Sequence, residues 1–331
     1  MSLSGRSLLL LAASLGATLW SSGRLEAQVD ESLVARRWKM DNFWAETYDK
    51  PILSSQGDIK ETGENIQIFH WDSEGRVKFD KKDLEPPVWI GYRFLTVSVF
   101  SESDLYNHTF SDVALALAVR LGSIADNWSV VASAGMGTAN DGRWDNAHAL
   151  FPVAALDFAR KIDETTLWHV GIGMDGNRGL IPLVPLPYLL YETELEPHLD
   201  VLLGFPRSEI VARPIEPLTL TARFVFPSYA AGRVEADLGS GWSVFAEVSR
   251  RIDGFHLRHT ERTRQFYEMN AAEVGVRWNN KWVDLSFSAG VLFNQRFFTG
   301  PDIANRTRGN SIDDLAFIAL TLPSTFWRIP F

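Results

Sequence analysis

The chain has 331 residues, a formal charge of −9, 46% hydrophobic and 12% aromatic residues, and a mean hydropathy of −0.07. That average excludes a bundle of membrane helices but fits a lipid-facing β-barrel as well as a soluble globule, because apolar outward and polar inward residues alternate along barrel strands. The lack of cysteine removes disulfides, thiolate metal sites and thiol nucleophiles, and the acidic balance argues against nucleic acid as a partner.

In chain order, Arg6 precedes an apolar run from Leu8 to Trp20, and Ser21-Ser22-Gly23 follows it. A charged start, an apolar stretch too short to span a bilayer comfortably and a small-residue exit read as an export signal over residues 1–27, with cleavage after Ala27 or Gly23. No later segment has the roughly 20 uninterrupted apolar residues of a membrane helix. The longest apolar stretch, Gly179 to Tyr191, is broken by Pro182, Pro185 and Pro187. An exported chain of this kind is either soluble or a barrel.

Residues 28–87 are polar, with the isolated aromatics Trp38, Phe43, Trp44 and Trp71. Val34, Trp38 and Ala45 sketch a weak helix, and Ile66 to Asp72 with Arg76 to Asp80 sketch a small hairpin around Ser73-Glu74-Gly75. The expectation is a periplasmic extension or a plug, ahead of a barrel over 88–331.

From Val88 onward a period of two takes over. Leu218, Leu220, Ala222, Phe224 and Phe226 alternate with Thr219, Thr221 and Arg223. Val234, Ala236 and Leu238 stand opposite Arg233, Glu235 and Asp237. Val283, Leu285, Phe287, Ala289, Val291 and Phe293 alternate with Asp284, Ser286, Ser288 and Gly290, and only Leu292 breaks the pattern. The first set is expected to face lipid, and Asp284 to tolerate loss of its charge far better than Phe287 tolerates gain of one.

The connections alternate in length. Short ones centre on Ala125-Asp126, Asp163, Glu196-Pro197, Pro214 to Pro217, Gly239-Ser240-Gly241 and Asn279-Asn280-Lys281, and mostly longer ones fall between them, apart from those at Pro206 and Pro227. Short periplasmic turns alternating with long outer loops are the pattern of an outer-membrane barrel, whereas a sandwich has no reason to sort its loops by parity. Trp128, Trp168, Trp242, Trp278 and Trp282 each lie near a short turn, as an interfacial ring requires. These signals predict an all-β fold, a closed antiparallel transmembrane β-barrel of roughly 12–14 strands, the lower number applying if Leu199 to Phe205 and Ser208 to Arg213 form a hairpin outside the membrane. Trp327, Ile329 and Phe331 resemble the terminal signal read by the outer-membrane assembly machinery.

The stretches Gly171 to Asp175, Leu180 to Tyr191 and Leu199 to Pro206 resemble a family of outer-membrane β-barrels of unknown function. The resemblance runs from about Pro87 to Phe326 and implies a barrel, with no activity or site attached.

Chemistry-bearing patterns are few. Gly171, Gly173 and Gly176 match a dinucleotide fingerprint in spacing only, because Pro182 follows where the phosphate-binding helix should begin. They read instead as close strand packing or a tight turn. A barrel lipase needs a Ser–His pair, for which His148 with Ser133 is the one tempting combination. No catalytic, cofactor or metal residue is assigned. Arg250, Arg251, Arg258, Arg262 and Arg264, with His256 and His259, read as a basic patch in an outer loop, suited to the phosphates of lipopolysaccharide. Expected lumen-lining residues are Asp157, Arg223, Arg233, Glu235, Asp237, Glu247, Glu273, Arg277 and Asp284. Mixed signs permit a water-filled pore or a lumen locked by ion pairs. The leading expectation is a passive or selective channel for small solutes in the bacterial outer membrane, its partners being membrane lipid and lipopolysaccharide. The competing readings are a plugged structural barrel, a lipid-modifying enzyme and a soluble periplasmic β-sandwich that binds carbohydrate.

Overall fold

The computed structural model describes residues 31–35, 38, 44–79, 85–102, 106–125, 127–195, 198–257, 263–280, 284–307 and 309–323. The export signal over 1–27, Arg258, His259 and Arg262, Trp282 and Val283, and the terminal Trp327, Ile329 and Phe331 lie outside these residues.

The described chain is one antiparallel sheet that closes on itself. Its first strands are β1 (Ala45–Ser54), β2 (Gly57–Asp58), β3 (Asn65–Lys78), β4 (Val88–Ser101), β5 (Thr109–Ala125) and β6 (Trp128–Asn140). Then come β7 (Leu150–Lys161), β8 (Thr166–Asp175), β9 (Leu186–Leu195), β10 (Leu199–Phe205), β11 (Arg207–Ile215) and β12 (Leu218–Val225). The series ends with β13 (Tyr229–Gly239), β14 (Trp242–His256), β15 (Arg264–Asn279), β16 (Asp284–Gly300), β17 (Gly309–Ser311) and β18 (Leu315–Pro323). The short β2 and β17 continue β1 and β18 at the outer end, leaving sixteen barrel strands. Antiparallel pairing of β1 with β18, from Tyr48↔Pro323 to Ser54↔Phe317, joins the two edges. With no free edge, the backbone amides and carbonyls of the wall pair between adjacent strands except at a few register shifts, the condition for strands to lie in lipid.

The closed all-β barrel is as the sequence predicts, but the count is higher, for two reasons. The segment 45–78, read as part of an extension or plug, is the first hairpin of the wall, pairing with β18 on one side and β4 on the other. The barrel therefore begins at Ala45, and the hairpin expected around Ser73-Glu74-Gly75 is one continuous strand. Gly75 there serves close approach, since a Cβ at this position would stand 2.6 Å from the Glu46 carbonyl oxygen. Secondly, Leu199–Phe205 and Arg207–Ile215 are wall strands with partners on both sides.

Loop parity holds through the sheet. One end carries the connections 126–127, 162–165, 196–198, 216–217, 240–241 and 280–283, with 79–87 the longest; the other carries 55–64, 102–108, 141–149, 176–185, 257–263 and 301–314 beside the short 206 and 226–228. Gly239 and Gly241 adopt φ of 82° and 81° in their tight turn, a conformation that favours glycine. In the 162–165 turn the N–H and hydroxyl of Thr165 and the N–H of Thr166 hydrogen-bond Asp163, holding its carboxyl below the usual carboxylate range. Trp242 and Trp278 stack at 5.8 Å beside the 240–241 turn, and Trp168 packs on Tyr191 at 5.1 Å near the 162–165 turn. This is the inner aromatic girdle the sequence predicts, at the short-turn end.

The outer wall is apolar. Leu115, Val274 and Phe287 are 57%, 64% and 54% exposed, and Leu117, Met136, Val170, Ile172, Leu189, Val248, Val291 and Ile318 share that face. A belt this continuous exceeds any patch a soluble monomer leaves to water, so lipid is its solvent.

The interior is layered. Toward the long-loop end, Ile52, Ile66, Ile68, Leu95, Val97, Val99, Phe110, Phe255, Tyr267, Leu292, Phe297 and Phe317 form one apolar cluster. Leu292, the apparent break in its strand's alternation, is a member of that layer. The outer ends of β14 and β16 lean across the mouth. Phe110 on β5 packs on Phe255 of β14 at 5.2 Å and Phe297 of β16 at 6.0 Å, and His256 bridges to Asn140 of β6 on the far arc. At the other end a short helix, α1 (Glu31–Val34), and the residues after it lie inside the wall. Leu33, Val34, Ala35 and Trp38 pack against Trp89, Ala114, Ala116, Ala118 and Val131. Trp89 donates its indole N–H to the Leu33 carbonyl (3.0 Å), and Gly91 makes room, since a Cβ there would sit 2.4 Å from Leu33 Cδ1.

These assignments set a mutational contrast. Phe287→Arg is expected to cost about 2–4 kcal/mol in a bilayer refolding assay, as a cation near mid-membrane does. Asp284, buried against Arg277, departs from the sequence expectation of tolerance. Asp284→Asn is expected to cost about 1–3 kcal/mol, the range for weakening a buried charged hydrogen bond. Tolerance of Phe287→Arg in that assay contradicts the assignment of faces.

Candidate functional site

From the apolar layer down to the level of α1 and the short turns the lumen is charged, and its charges meet in pairs. Arg76 donates Nε (2.9 Å) and Nη2 (2.7 Å) to Glu46. Arg277 donates to both oxygens of Asp284 (2.8 and 2.6 Å) and reaches Glu235 at 3.3 Å. His169 Nδ1 lies 2.9 Å from Asp157, whose other oxygen accepts the Tyr188 hydroxyl at 2.8 Å. The Tyr188 ring lies over Gly171, where a Cβ would stand 2.3 Å from it; this is the packing role of the glycine pattern.

Four contacts span strands that are not neighbours. Lys50 of β1 meets Glu273 of β15, and Arg251 of β14 meets Asp72 of β3. His70 of β3 stands 3.6 Å from Asp253 of β14, and Arg93 of β4 lies 2.9 Å from Asp175 of β8. Arg93 also lies 3.1 Å from Asp112 on the adjacent β5. Buried charges without partners would cost several kcal/mol each, so pairing is the condition for having them inside at all. The consequence is a lumen tied across itself.

Between the Arg93 and Arg251 clusters lies a polar cavity of about 100 Å³. Its lining includes Asp72, Glu74, Arg93, Asp112, Arg251 and Asp253, with the outer connections at 178–179 and 225–229 forming its rim. From above, Asn177 donates its amide to Asp112 (2.8 Å) and to the Gly254 carbonyl (3.0 Å).

Of the expected lumen residues, Asp157, Arg223, Glu247, Glu273, Arg277 and Asp284 are buried inside the wall, and Arg233 and Glu235 are partly buried and paired at 2.7 Å. Asp237 is the exception, lying exposed at the inner turn, where it caps the Gly239 N–H. The basic outer loop is corrected. Arg250, Arg251 and Arg264 belong to strands that run further than the loop reading assumed, so successive residues face opposite ways. Arg251 is bound to Asp72 and Asp253, and Arg264 is buried, donating to the Asn177 and Arg178 carbonyls. Only Arg250 faces outward. Ser133 lies mid-strand on the inner face of β6 and His148 in the outer 147–149 turn, so they do not form a nucleophile–base pair. No group of three or more potential metal ligands occurs among the described residues.

Sequence reasoning missed Glu46, Lys50, His70, Asp72 and Arg76, which fall in the segment read as outside the wall. It also missed Arg93, Asp112, Asp175 and Asp253, whose inward parity was there to be counted.

Solved structures of outer-membrane barrels align over most of the chain at low similarity. OccAB3 of Acinetobacter baumannii has a TM-score of 0.35 and 10% identity, covering 85% of this chain and 99% of its own. OccK7 (OpdD) of Pseudomonas aeruginosa has a TM-score of 0.32 and 8% identity, covering 85% and 100%. OmpT of Vibrio cholerae has a TM-score of 0.26 and 8% identity, covering 84% and 97%. No protein-family model and no curated protein sequence matches the chain.

The Arg277–Asp284 pair is a direct test of the paired lumen. Arg277→Met alone is expected to destabilise by about 3–5 kcal/mol, because Asp284 is left buried and uncompensated. Arg277→Met with Asp284→Leu is expected to cost less than the single change. Additive losses in the double-mutant cycle contradict the pairing.

Proposed function

We propose that the protein sits in the bacterial outer membrane and passes small cationic or zwitterionic solutes at a low rate. Supporting this, a sixteen-strand barrel is wide enough to enclose an aqueous path, and its charged middle layer has the polarity that such a path needs. The observation that carries the reading is the cavity behind the outer mouth. Its lining holds five carboxylates, Asp72, Glu74, Asp112, Asp175 and Asp253, against three guanidiniums, Arg93, Arg178 and Arg251. Such an excess favours cations over anions. Arg93 with Asp175 and Arg251 with Asp72 bridge the lumen beside this cavity, so a hydrated ion passes only when such cross-lumen pairs open.

A second reading, a structural barrel without conductance, is favoured by a different observation. The apolar layer and the contacts of β14 and β16 with the far wall close the mouth.

Planar-bilayer recording separates the two. Purified protein is expected to conduct weakly, with a reversal potential in a salt gradient showing cation preference. Removing residues 28–43, which takes away α1 and Trp38 but leaves β1 whole, is expected to raise conductance. A longer deletion through residue 80 is expected to abolish the folded barrel, since β18 and β4 each lose one of their two partners and become open edges. If neither wild type nor the shorter deletion conducts while both are folded, the channel reading fails and the structural one stands.

A further inference from the structure

Three neighbouring strands change character at one height on the outer wall. Along β14 the outward residues run Trp242, Val244, Ala246, Val248 and then Arg250; along β15 they run Trp278, Val276, Val274, Ala272, Asn270 and then Glu268. Along β16, Leu285, Phe287, Ala289, Val291 and Phe293 lead, past an irregularity in the register, to Arg296 opposite Glu268. From the inner girdle at Trp242 to Arg250 is roughly 26 Å along a strand and about 20 Å along the membrane normal at barrel tilt. That is close to the height of the apolar band, about 25 Å, so these side chains stand where the outer-leaflet headgroups begin.

There Arg250 donates Nε (2.9 Å) and Nη2 (2.7 Å) to one oxygen of Glu268, and Arg296 donates Nε (2.6 Å) to the other. Arg306, from the 301–314 connection, reaches that second oxygen at 3.2 Å. Three guanidiniums on one carboxylate leave a local charge of +2. The Glu268 side chain is covered, while those of Arg250 and Arg296 are 47% and 44% exposed and that of Arg306 is 31% exposed. The forks are held in place as well. The Arg306 guanidinium lies 4.5 Å and that of Arg296 5.7 Å from the Phe298 ring centroid, and Arg306 Nε is anchored on the Ile303 carbonyl (2.8 Å).

We infer that Arg250, Arg296 and Arg306, organised by Glu268, bind a phosphate monoester on the headgroup of an outer-leaflet glycolipid. Guanidinium forks match phosphate bidentately, and the excess positive charge sits at the level where a lipid phosphate would reside, beside wall that acyl chains cover. The inference rests on the outer-membrane placement proposed above and not on conductance.

The test is stabilisation of the purified, detergent-solubilised protein by bisphosphorylated lipid A, followed by the loss of heat-modifiable gel mobility. Wild type is expected to be stabilised by lipid A, and neither by lipid A stripped of both phosphates nor by inorganic phosphate alone. The variant R250Q/E268Q/R296Q/R306Q removes the carboxylate together with its cations, so no unpaired charge is left to prevent folding. It is expected to need on the order of tenfold more lipid A, or more, for the same effect. R250K/R296K/R306K keeps the charge without the forks and is expected to fall between the two. Unchanged lipid A response in the folded quadruple variant, or equal protection by dephosphorylated lipid, overturns the inference; equal protection by inorganic phosphate overturns the lipid assignment. Recovery of the protein in the soluble periplasmic fraction would instead defeat the placement in the membrane, which the detergent assay does not depend on.

Discussion

Everything in this molecule depends on the antiparallel pairing of β1 with β18. A sixteen-strand sheet with two open edges would expose rows of unsatisfied amides and carbonyls to hydrocarbon, each costing several kcal/mol. Joining Tyr48 through Ser54 to Phe317 through Pro323 removes both edges at once. The outer surface is then free to be apolar, since lipid and not a second layer of protein covers Phe287, Val274 and Leu115. Closure also creates an interior that the chain must fill or leave wet.

This chain does both, by level. At the long-loop end it builds an ordinary apolar core, with aromatic rings from β14 and β16 meeting Phe110 on the opposite wall. Midway it uses paired charges, several of them bridging distant strands, so that the barrel is braced across its diameter as well as around its circumference. At the short-turn end α1 fits into space left by Gly91 and three alanines of β5. A polar cavity lies between the first two levels, where Arg93 and Arg251 each draw two carboxylates to themselves.

Much of the wall was legible in the sequence because lipid and lumen impose opposite demands on successive residues. Where one side is strictly apolar, as along β16, parity could be read directly. The first hairpin was not legible for the same reason inverted. Glu46, Lys50, Asp72, Glu74 and Arg76 face inward while Thr47, Asp49, Gln67 and Ser73 share the other face, so neither parity is apolar and the period of two vanishes. Consecutive apolar residues such as Leu292-Phe293 and Phe297-Phe298 obscured parity in the opposite way, being apolar on both faces where the lumen itself is dry. The arginine-rich stretch from Arg250 to Arg264 counted as a loop on composition, yet only 257–263 connects strands, and alternation sends Arg250 outward and Arg251 inward. The pairing of Arg93 with Asp175 was hidden because a four-strand separation in a closed sheet has no signature in sequence distance.

Closure by the 45–78 hairpin is the claim on which the rest stands, and the chain's lack of cysteine makes it easy to probe. Leu53 and Ile318 are directly paired and both face outward, as are Val276 and Phe287 within the β15–β16 hairpin. Leu53→Cys with Ile318→Cys, oxidised in the membrane, is expected to join the two ends of the chain, giving a covalently cyclic product with altered mobility on a denaturing gel that reverts on reduction. The Val276→Cys, Phe287→Cys pair serves as the positive control. Efficient oxidation of the control pair with no cross-link between positions 53 and 318 would contradict a barrel closed by β1 and β18.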